Sequence, residues 1–415
     1  MSSVQISTLG ERLTMTWKEA RITFTFDRWR SEKETITAEV TITTAAPGYN
    51  PHLTAGRLNL TSLTTRHQWA TRLSNLYAEA DWTTLLEEGC LKALMHYRGG
   101  EPAQRLTPTP LGAGPTWRVQ PLLYEKLPTV LFGPGGSRKS FLALWISLLI
   151  EKGMAMDSMM AVQGRALYLD WESDVDIAAY RMGRFIDGNP VLAGASPLYR
   201  RMKQPLASDL PALSTLIAEE NITALIIDSL GMACGGKDLA DPSTAIAYFS
   251  ALRSLPVTSL SIAHVPKNSD NPSIYGSVFF SNIARMTWEI KCQTDAETGT
   301  STVGLFNRKA NERTRPPVGL EFVHDPQTQA ITVNSTTITD AEMFLDSASL
   351  TMQIRHYLQD GAKTSSALAI LIRKPLASIV KALQRAEQKG QVIQIGEGKG
   401  SEWVLPPIAT TEPDF

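Results

Sequence analysis

The chain has 415 residues, of which 43% are hydrophobic and 20% are charged, and its formal net charge is −1. This length allows two or three domains, and the composition is that of an ordinary globular protein. The near-neutral charge excludes a wholly basic nucleic-acid coat protein, although it leaves room for local basic patches. The sequence contains no apolar run of about 18 residues, so we expect no membrane span and no membrane partner.

The three cysteines, Cys90, Cys234 and Cys292, are widely spaced and match no metal-binding pattern. The first residues do not combine a basic segment with an apolar one, as a secretory signal does. We therefore expect reduced thiols and a cytoplasmic protein.

The N-terminal part of the chain combines strand and helix patterns. Residues 21–26 and 35–42 alternate apolar and polar side chains, which is typical of half-buried strands. Residues 65–97 repeat apolar side chains at helical spacing. We predict an N-terminal α+β domain over residues 1–98, without a catalytic signature. Its Arg28-Trp29-Arg30 triplet is either a solvated strand end, which we favour, or a base-stacking site.

A linker is predicted over residues 99–121, because glycine and proline crowd together there. From residue 122 to 338, strand and helix patterns alternate, which favours an α/β domain with a mostly parallel sheet.

A glycine-rich turn near the start of this domain carries the strongest chemical signal. It follows the apolar run 130–132 and precedes Lys139, Ser140 and an apolar helix. This order is that of a phosphate-binding loop, in which backbone N–H groups surround phosphate oxygens. Lys139 would reach the β- and γ-phosphates, and Ser140 would hold Mg²⁺. The alternative is a glycine-rich turn without a nucleotide.

We assign nucleotide binding to nine residues: Gly133, Pro134, Gly135, Gly136, Ser137, Arg138, Lys139, Ser140 and Phe141. Arg138 departs from the usual pattern, G-x-x-x-x-G-K-[ST], because it replaces the last glycine. We expect Arg138 to adopt an ordinary helical φ and to add a phosphate contact.

Three later strands of the domain end in polar groups. The apolar run 166–169 leads to Asp170 and Glu172, the next such run ends at Asp228, and a third ends at His264. Because open α/β sheets bind ligands at the carboxyl ends of their strands, we expect these groups to meet the phosphate loop at one edge.

Taken together, the loop, these strand ends and residues 275–289 resemble the RecA-like core of hexameric helicases. The resemblance is to plasmid and phage RepA-type replicative helicases, to AAA-labelled RecA-type ATPases and to their DnaB cousins, and it covers about half of the chain. It implies that Glu172 is the general base, with Asp170 as the runner-up. It also implies that Asp228 and Ser140 hold Mg²⁺ and that His264 senses the γ-phosphate of ATP.

The resemblance further implies a ring in which a basic residue enters the neighbouring subunit's site. Lys309 and Arg313 are our choices for this finger, with Arg308 and Arg315 as alternatives. The same cluster could instead be a solvated hairpin turn. Single-stranded DNA would contact loop 265–276 through Lys267, or loop 230–237. Each of these is alternatively an ordinary surface loop.

The C-terminal part of the chain changes pattern again. Helices are predicted over 349–359, 364–372 and 376–389, followed by a hairpin. This order is typical of a winged helix-turn-helix, which we place at residues 345–406, before a flexible tail over 407–415. From residue 348 to 405 there are eight Lys or Arg and four Asp or Glu. Duplex DNA contacts are expected from Lys381, Arg385 and Lys399. A protein-docking module is the alternative.

The sequence therefore predicts an ATP- and Mg²⁺-dependent DNA-binding motor. By resemblance it is a ring-forming helicase, with a hexamer expected, acting in the replication of a plasmid, phage or mobile element. A replication or mobile-element protein is a further expected partner. The first alternative is a regulatory or loader-type ATPase that recruits a partner without unwinding DNA. The second is a nucleotide-binding interaction module without useful hydrolysis, which only Arg138 favours.

Overall fold

The computed structural model describes residues 4–100, 103–108, 110, 114–265, 273–295, 297–337, 349–396 and 401–406. The described residues fall into two compact units. The first contains the N-terminal part of the chain up to Thr116, with Gln204–Thr223 and Ser254–Pro256. The second contains the remaining described residues.

The first unit is built on a five-stranded antiparallel sheet whose strands lie in chain order. These strands are β1 (Val4–Leu9), β2 (Arg12–Trp17), β3 (Ile22–Glu32), β4 (Thr35–Thr44) and β5 (His52–Asn59). Its helices are α1 (Leu63–Leu76), α2 (Trp82–Gly99) and α5 (Leu210–Glu219). Because successive side chains of a strand point to opposite faces, the alternating pattern of β3 and β4 buries one face of the sheet.

The buried face of this sheet packs on the two N-terminal helices. Phe24 on β3 stacks on Trp82 of α2, with ring centres 6.4 Å apart. Both helices begin at side-chain caps, since Ser62 accepts a hydrogen bond from Thr65 N and Asp81 accepts one from Thr84 N. The predicted β-then-α order of the N-terminal region is therefore present.

The second unit contains the remaining helices and strands. In chain order, the first nine strands of the second unit are β6 (Trp117–Gln120), β7 (Leu123–Tyr124), β8 (Pro128–Gly133), β9 (Ala155–Met156), β10 (Met159–Ala161), β11 (Arg165–Asp170), β12 (Leu198–Arg201), β13 (Ile222–Asp228) and β14 (Thr258–His264). Four more strands follow: β15 (Met286–Thr294), β16 (Ser301–Ala310), β17 (Val318–His324) and β18 (Ile331–Thr336). The helices of this region are α3 (Lys139–Lys152), α4 (Val175–Gly188), α6 (Leu230–Ala233), α7 (Pro242–Arg253) and α8 (Val278–Ile283).

The predicted linker ends earlier than expected. Trp117–Gln120 forms β6, in a small sheet with the order β7-β6-β10-β9. Trp117 packs on Tyr124 with ring centres 4.2 Å apart, and Val119 is fully buried. Burial of these apolar side chains overrides the glycine- and proline-rich signal that precedes them.

The large sheet has nine strands in the order β12-β11-β13-β14-β8-β15-β16-β17-β18. Strand β8 runs parallel to both β14 and β15, β13 runs parallel to β14, and β11 runs parallel to β12. The last four strands form an antiparallel meander. This is the predicted α/β sheet, with an antiparallel extension at one side.

The expected strand ends meet at one edge of this sheet. His264 pairs with Gly133, and Ile227, next to Asp228, pairs with Ser261. Trp171 N donates to Asp228 O at 2.8 Å, which brings the end of β11 to the end of β13. The phosphate loop and the polar strand ends are therefore neighbours.

Helix α3 is buried along almost its whole length against this sheet. Trp145 on α3 and Trp288 on β15 are 0% and 1% exposed. Among the described residues, neither indole N–H has a hydrogen-bond partner. Burial of the apolar ring surface stabilises the fold, and the unpaired N–H groups offset part of that gain.

The C-terminal part of the second unit has its own small core. Its helices are α9 (Leu350–Tyr357), α10 (Ser365–Ile372) and α11 (Leu376–Glu387), and its strands are β19 (Lys363–Thr364), β20 (Ile393–Ile395) and β21 (Glu402–Val404). The three strands form an antiparallel sheet in the order β19-β21-β20. Ile354, Leu368, Leu383 and Trp403 meet in the core. The helices and the two hairpin strands lie where the sequence predicts them.

None of the helices in the described ranges is long and apolar enough to cross a membrane.

A pair of glycines on α4 tests the packing of this helix. A Cβ on Gly188 would lie 2.3 Å from the backbone oxygen of Ile331 on β18, whereas Gly183 faces open space. We expect Gly188→Ala to lower the free energy of unfolding by about 1–3 kcal/mol, because the helix and strand must separate. Gly183→Ala, the matched control, should raise it by about 0.5–1 kcal/mol, since alanine favours helix. Urea denaturation measures both changes, and equal effects would contradict this packing.

Candidate active site

The phosphate loop joins β8 to α3, as the sequence predicts. Gly133 ends β8, and a Cβ there would lie 2.6 Å from Ile290 O, so only glycine fits this close strand approach. Gly136 has a φ of +77°, a backbone conformation that favours glycine. These two positions explain why the turn is glycine-rich.

Lys139 is the first residue of α3, and its ammonium group lies inside the loop. Its Nζ donates to Gly133 O at 2.9 Å, to Pro134 O at 2.6 Å and to Ser137 Oγ at 3.3 Å. Burial lowers the pKa of Lys139, and the nearby carboxylates of Asp228 and Glu172 oppose that shift. A cation held here by its own loop is placed to bind phosphate oxygens.

Arg138 does not have the ordinary helical backbone that we expected. Its φ is +64° and its ψ is 19°, in the left-handed region. That expectation was wrong because Arg138 does not belong to the first turn of α3. It is the residue immediately before the helix, where the chain must reverse direction. Glycine adopts this conformation without strain, whereas for another L-residue it costs about 1–2 kcal/mol.

Asp228 and Ser140, the two residues predicted to hold Mg²⁺, lie in direct contact. The Ser140 hydroxyl donates to Asp228, and Tyr168 donates to Asp228 Oδ2 at 2.7 Å. Burial raises the pKa of Asp228, whereas the hydrogen bonds from Tyr168 and Ser140 lower it. A carboxylate and a hydroxyl beside a phosphate loop are oxygen ligands of the kind that Mg²⁺ prefers. These two residues would therefore hold the metal that accompanies a nucleotide.

The two acids after β11 have different partners. Asp170 is buried, and its Oδ1 accepts hydrogen bonds from Glu172 N at 2.8 Å and Ser173 N at 2.9 Å. Its Oδ2 accepts one from Tyr199 at 3.1 Å. Glu172 lines the cavity above the loop and accepts a hydrogen bond from Ser229. Asp170 thus shapes the turn, whereas Glu172, the predicted general base, lines the cavity.

A cavity of about 270 Å³ joins these groups. Its lining includes the loop residues from Gly136 to Phe141, together with Glu172, Asp228 and His264. His264, the predicted sensor, therefore lies at the same site. Such a volume suits the phosphate part of a nucleotide.

Arg181 also lines this cavity, and sequence reasoning missed it. It lies on α4 with its guanidinium 5.0 Å from the centre of the Phe141 ring. With Lys139 and Arg138 it gives the cavity three basic side chains against the carboxylates of Glu172 and Asp228, a balance that favours a polyphosphate. The sequence does place Arg181 on the helix that follows Glu172. The spacing of residues along the chain, however, does not show which face of that helix meets the phosphate loop.

The predicted finger residues have separate surroundings. Lys309 Nζ donates to Ser281 O at 2.9 Å, to Ala284 O at 2.6 Å and to Asn282 O. It therefore caps the end of α8 in its own chain rather than extending from the surface, and burial lowers its pKa. Lys309 is therefore engaged within its own chain, and its role as a finger stays a prediction.

The alternative finger residues are also engaged within the chain. Arg308 pairs with the buried carboxylate of Glu289, its Nε lying 2.7 Å from Oε2. Arg315 lies over the ring of Trp117 at 4.7 Å. Arg313 is exposed, and its role as a finger stays a prediction.

The predicted DNA contacts are only partly within the described residues. Lys381 and Arg385 lie on α11, one helical turn apart, and both are exposed. Lys267 and Lys399 lie outside the described residues, as does the tail over 407–415. In the alternative loop 230–237, the first four residues form α6, with Leu230 and Ala233 buried.

Trp29 in the N-terminal triplet is not available for a base. Its ring stacks on Phe26 and on Tyr97, with ring centres 5.9 Å and 5.3 Å away, and its Nε1 donates to Glu11 O at 2.8 Å. The preferred interpretation of the triplet, as a strand end, agrees with these contacts.

The phosphate loop, the buried lysine and the acids at neighbouring strand ends define the centre of the chain as a P-loop ATPase core. Residues 111–270 match a family model described as an AAA domain. This match covers the loop and the strands β8, β11, β13 and β14 that carry the site. This part of the chain is thus similar to an AAA domain, and ATP with Mg²⁺ is the ligand that its site implies.

Two solved structures are similar to part of the chain. One is a KaiC-like protein from the hyperthermophilic archaeon Pyrococcus horikoshii OT3, with 15% identity, a TM-score of 0.37 and coverage of 51% of this chain and 93% of that one. The other is the flagellar accessory protein FlaH from Methanocaldococcus jannaschii, with 13% identity, a TM-score of 0.35 and coverage of 51% and 90%. No curated protein matches the chain.

The different partners of the two acids give a testable contrast. We expect Glu172→Gln to lower kcat for ATP hydrolysis about 10²–10⁴-fold, because a general base is lost, with little change in melting temperature. Asp170→Asn should instead lower the melting temperature, because an amide replaces a charged acceptor of two backbone N–H groups. Steady-state hydrolysis and thermal denaturation measure both variants. Normal turnover in Glu172→Gln would return the role of base to Asp170.

Proposed function

We propose that the protein is an ATP-hydrolysing DNA-binding motor, specifically a ring-forming helicase of the RepA/DnaB type. One observation carries the proposal: a nucleotide site and an exposed basic helix face occur in the same chain. The first supplies energy from hydrolysis, and the second suits the phosphates of DNA. Replication of a plasmid, phage or mobile element is the proposed context, and it rests on resemblance to that family.

One hydrogen bond supports coupling between the nucleotide site and the segment proposed to contact DNA. His264 lines the cavity, and its backbone oxygen accepts a hydrogen bond from Tyr275 N at 2.9 Å. This bond joins the two ends of the connection that contains Lys267. A change at the γ-phosphate would therefore act on the residue from which that connection starts. This supports coupling between hydrolysis and a strand of DNA in the ring.

The C-terminal module supports an additional contact with duplex DNA. Its three helices and its sheet order β19-β21-β20 are consistent with a winged helix-turn-helix, in which α11 would be the recognition helix. Ser378, Lys381, Gln384 and Arg385 are exposed on α11. Hydroxyl, amide and guanidinium groups can read base edges, and lysine binds phosphate.

The proposed ring follows from the need for a finger, the basic residue by which one subunit completes the nucleotide site of its neighbour. Arg313 is exposed in the segment between β16 and β17, so it is free to reach a second copy of the chain. A hexamer is the proposed assembly, again by resemblance. A replication or mobile-element protein is the proposed additional partner.

A regulatory or loader-type ATPase is the second candidate function. The capping of α8 by Lys309 favours it, because one of the two preferred finger residues is used within its own subunit. Such a protein would hydrolyse ATP slowly and recruit a partner without separating strands.

The first experiment is steady-state ATP hydrolysis with and without single-stranded DNA. A motor predicts stimulation of about tenfold or more, since a correctly placed finger strongly raises the rate of phosphoryl transfer. Lys139→Ala should abolish both rates, and Arg313→Ala should remove the stimulation selectively. Slow turnover that is indifferent to DNA would reject the motor and favour the regulatory ATPase. An unwinding assay on a forked duplex then separates a helicase from a translocase.

Binding to duplex DNA tests the C-terminal module separately. We expect Lys381→Ala and Arg385→Ala each to weaken binding and to reduce the slope of log K against log salt by about one, because one phosphate contact is lost. Arg355→Ala is the matched control, since Arg355 is exposed on α9 rather than on α11. Titration at several salt concentrations measures the slope. Equal effects of all three substitutions would indicate non-specific charge, and the absence of any effect would favour a protein-docking module.

A further inference from the structure

The turn between α10 and α11 exposes three large aliphatic side chains. Ile370, Leu371 and Leu376 are 78%, 43% and 47% exposed, although they lie within seven positions of one another along the chain. Single exposed apolar residues are ordinary on a protein surface, whereas a group of them marks a binding surface. The end of α10 and the start of α11 therefore offer a surface that an apolar occupant would cover.

Two basic side chains belong to the same surface. Arg373 ends α10 with a φ of +54°, and Lys374 N donates to Ala369 O at 3.2 Å, so the chain turns back tightly here. Both basic residues are exposed, and within the described ranges no carboxylate pairs with either of them. The turn surface, as we name it, consists of Ile370, Leu371, Arg373, Lys374 and Leu376.

The residues that follow the C-terminal module have the complementary composition. Residues 407–415 contain Glu412 and Asp414 but no Lys or Arg, and they also contain Ile408 and Phe415. Their acids oppose the charge of the turn surface, and their apolar side chains suit its aliphatic part. Duplex DNA would match the charge alone, because phosphates do not cover aliphatic side chains. This segment thus fits both properties of the surface.

The segment is also long enough to reach the turn surface. Strand β21 lies beside the start of α10, where Trp403 Nε1 donates to Ser365 Oγ at 3.0 Å. Helix α10 has eight residues and is therefore about 12 Å long. The nine residues from 407 to 415 span up to about 30 Å when extended. A tether this short gives an effective concentration of about millimolar, at which even a weak contact is populated.

We propose that residues 407–415 bind the turn surface of their own chain. The acids of the segment lie against the two basic residues, and its apolar side chains lie against the aliphatic ones. Leu376 is the first residue of α11, and the N-terminal end of a recognition helix is the part that enters the major groove. The bound segment therefore competes with duplex DNA. This competition rests on the proposed function, whereas the docking itself does not.

The docking is tested on the full chain with a nitroxide label at Thr411→Cys. The background carries Cys292→Ser, because the other two cysteines are buried. We expect a broad electron paramagnetic resonance spectrum from a slowly moving label, and a sharper one in Arg373→Glu/Lys374→Glu. Arg355→Glu, on α9, is the matched control and should leave the spectrum broad. A sharp spectrum without the Arg373 and Lys374 changes, or no sharpening with them, would overturn the proposal.

An exchange of charges shows which molecule supplies the segment. Adding Glu412→Lys/Asp414→Lys to the chain that carries Arg373→Glu/Lys374→Glu should restore the broad spectrum, because opposite charges face each other again. No restoration would overturn the charge pairing. Restoration that required mixing two chains, each with one of the two pairs of changes, would assign the segment to a second copy and overturn docking within one chain.

A charge-neutral change tests the competition with DNA. Phe415→Ala should bind duplex DNA about three- to tenfold more tightly, because a larger fraction of the chains has a free turn surface. Thr410→Ala, the matched control, should bind as the natural protein does. A freed label with unchanged duplex affinity in Phe415→Ala would overturn the competition. If the natural protein and Phe415→Ala both failed to bind duplex DNA, that part of the proposed function would fall, and the label alone would decide the docking.

Discussion

The whole site depends on keeping a buried ammonium group charged. Lys139 is 6% exposed, and burial disfavours its charged form. Three oxygens of the loop and the nearby carboxylates of Asp228 and Glu172 offset that cost. These groups come from different parts of the loop and from the ends of neighbouring strands. The charge of Lys139 therefore stabilises the arrangement of the loop and the strand ends that form the site.

The parallel part of the sheet provides that meeting point. Strands β8, β13 and β14 lie side by side, so their polar ends cannot be far apart. The close contact of Gly133 with β15 then connects the loop to the antiparallel extension. That extension begins with β15, and β16 supplies both Ser301, which orients Arg138, and Lys309, which caps α8. The antiparallel strands are therefore part of the site's support.

Sequence reasoning predicted the features that follow from local pattern. The phosphate loop, the strand ends at Asp170, Asp228 and His264, and the three C-terminal helices all lie where periodicity and glycine placement put them. It could not predict the φ of Arg138, because the pattern shows a missing glycine but not which residue must reverse the chain.

The remaining differences depend on contacts between distant residues. Lys309 is a basic residue in a basic cluster, and only the packing of β16 against the end of α8 shows that its charge is used internally. Only the resemblance to a family ranked Glu172 above Asp170 as the base, and the structure adds that the two acids have different hydrogen-bond partners. Arg181 approaches Phe141 only through the packing of α3 and α4.

The two unbonded tryptophans of the core have a spectroscopic consequence. Indole rings in a dry, apolar environment emit at shorter wavelength than solvated ones, so Trp145 and Trp288 should contribute a blue-shifted component to the intrinsic fluorescence of the nine tryptophans. Trp145 lies on the helix that starts at the phosphate loop, and Trp288 lies on the strand that contacts Gly133. The chain thus contains natural optical reporters on the helix and the strand next to its phosphate loop, and rearrangement of the loop can be followed without an attached dye.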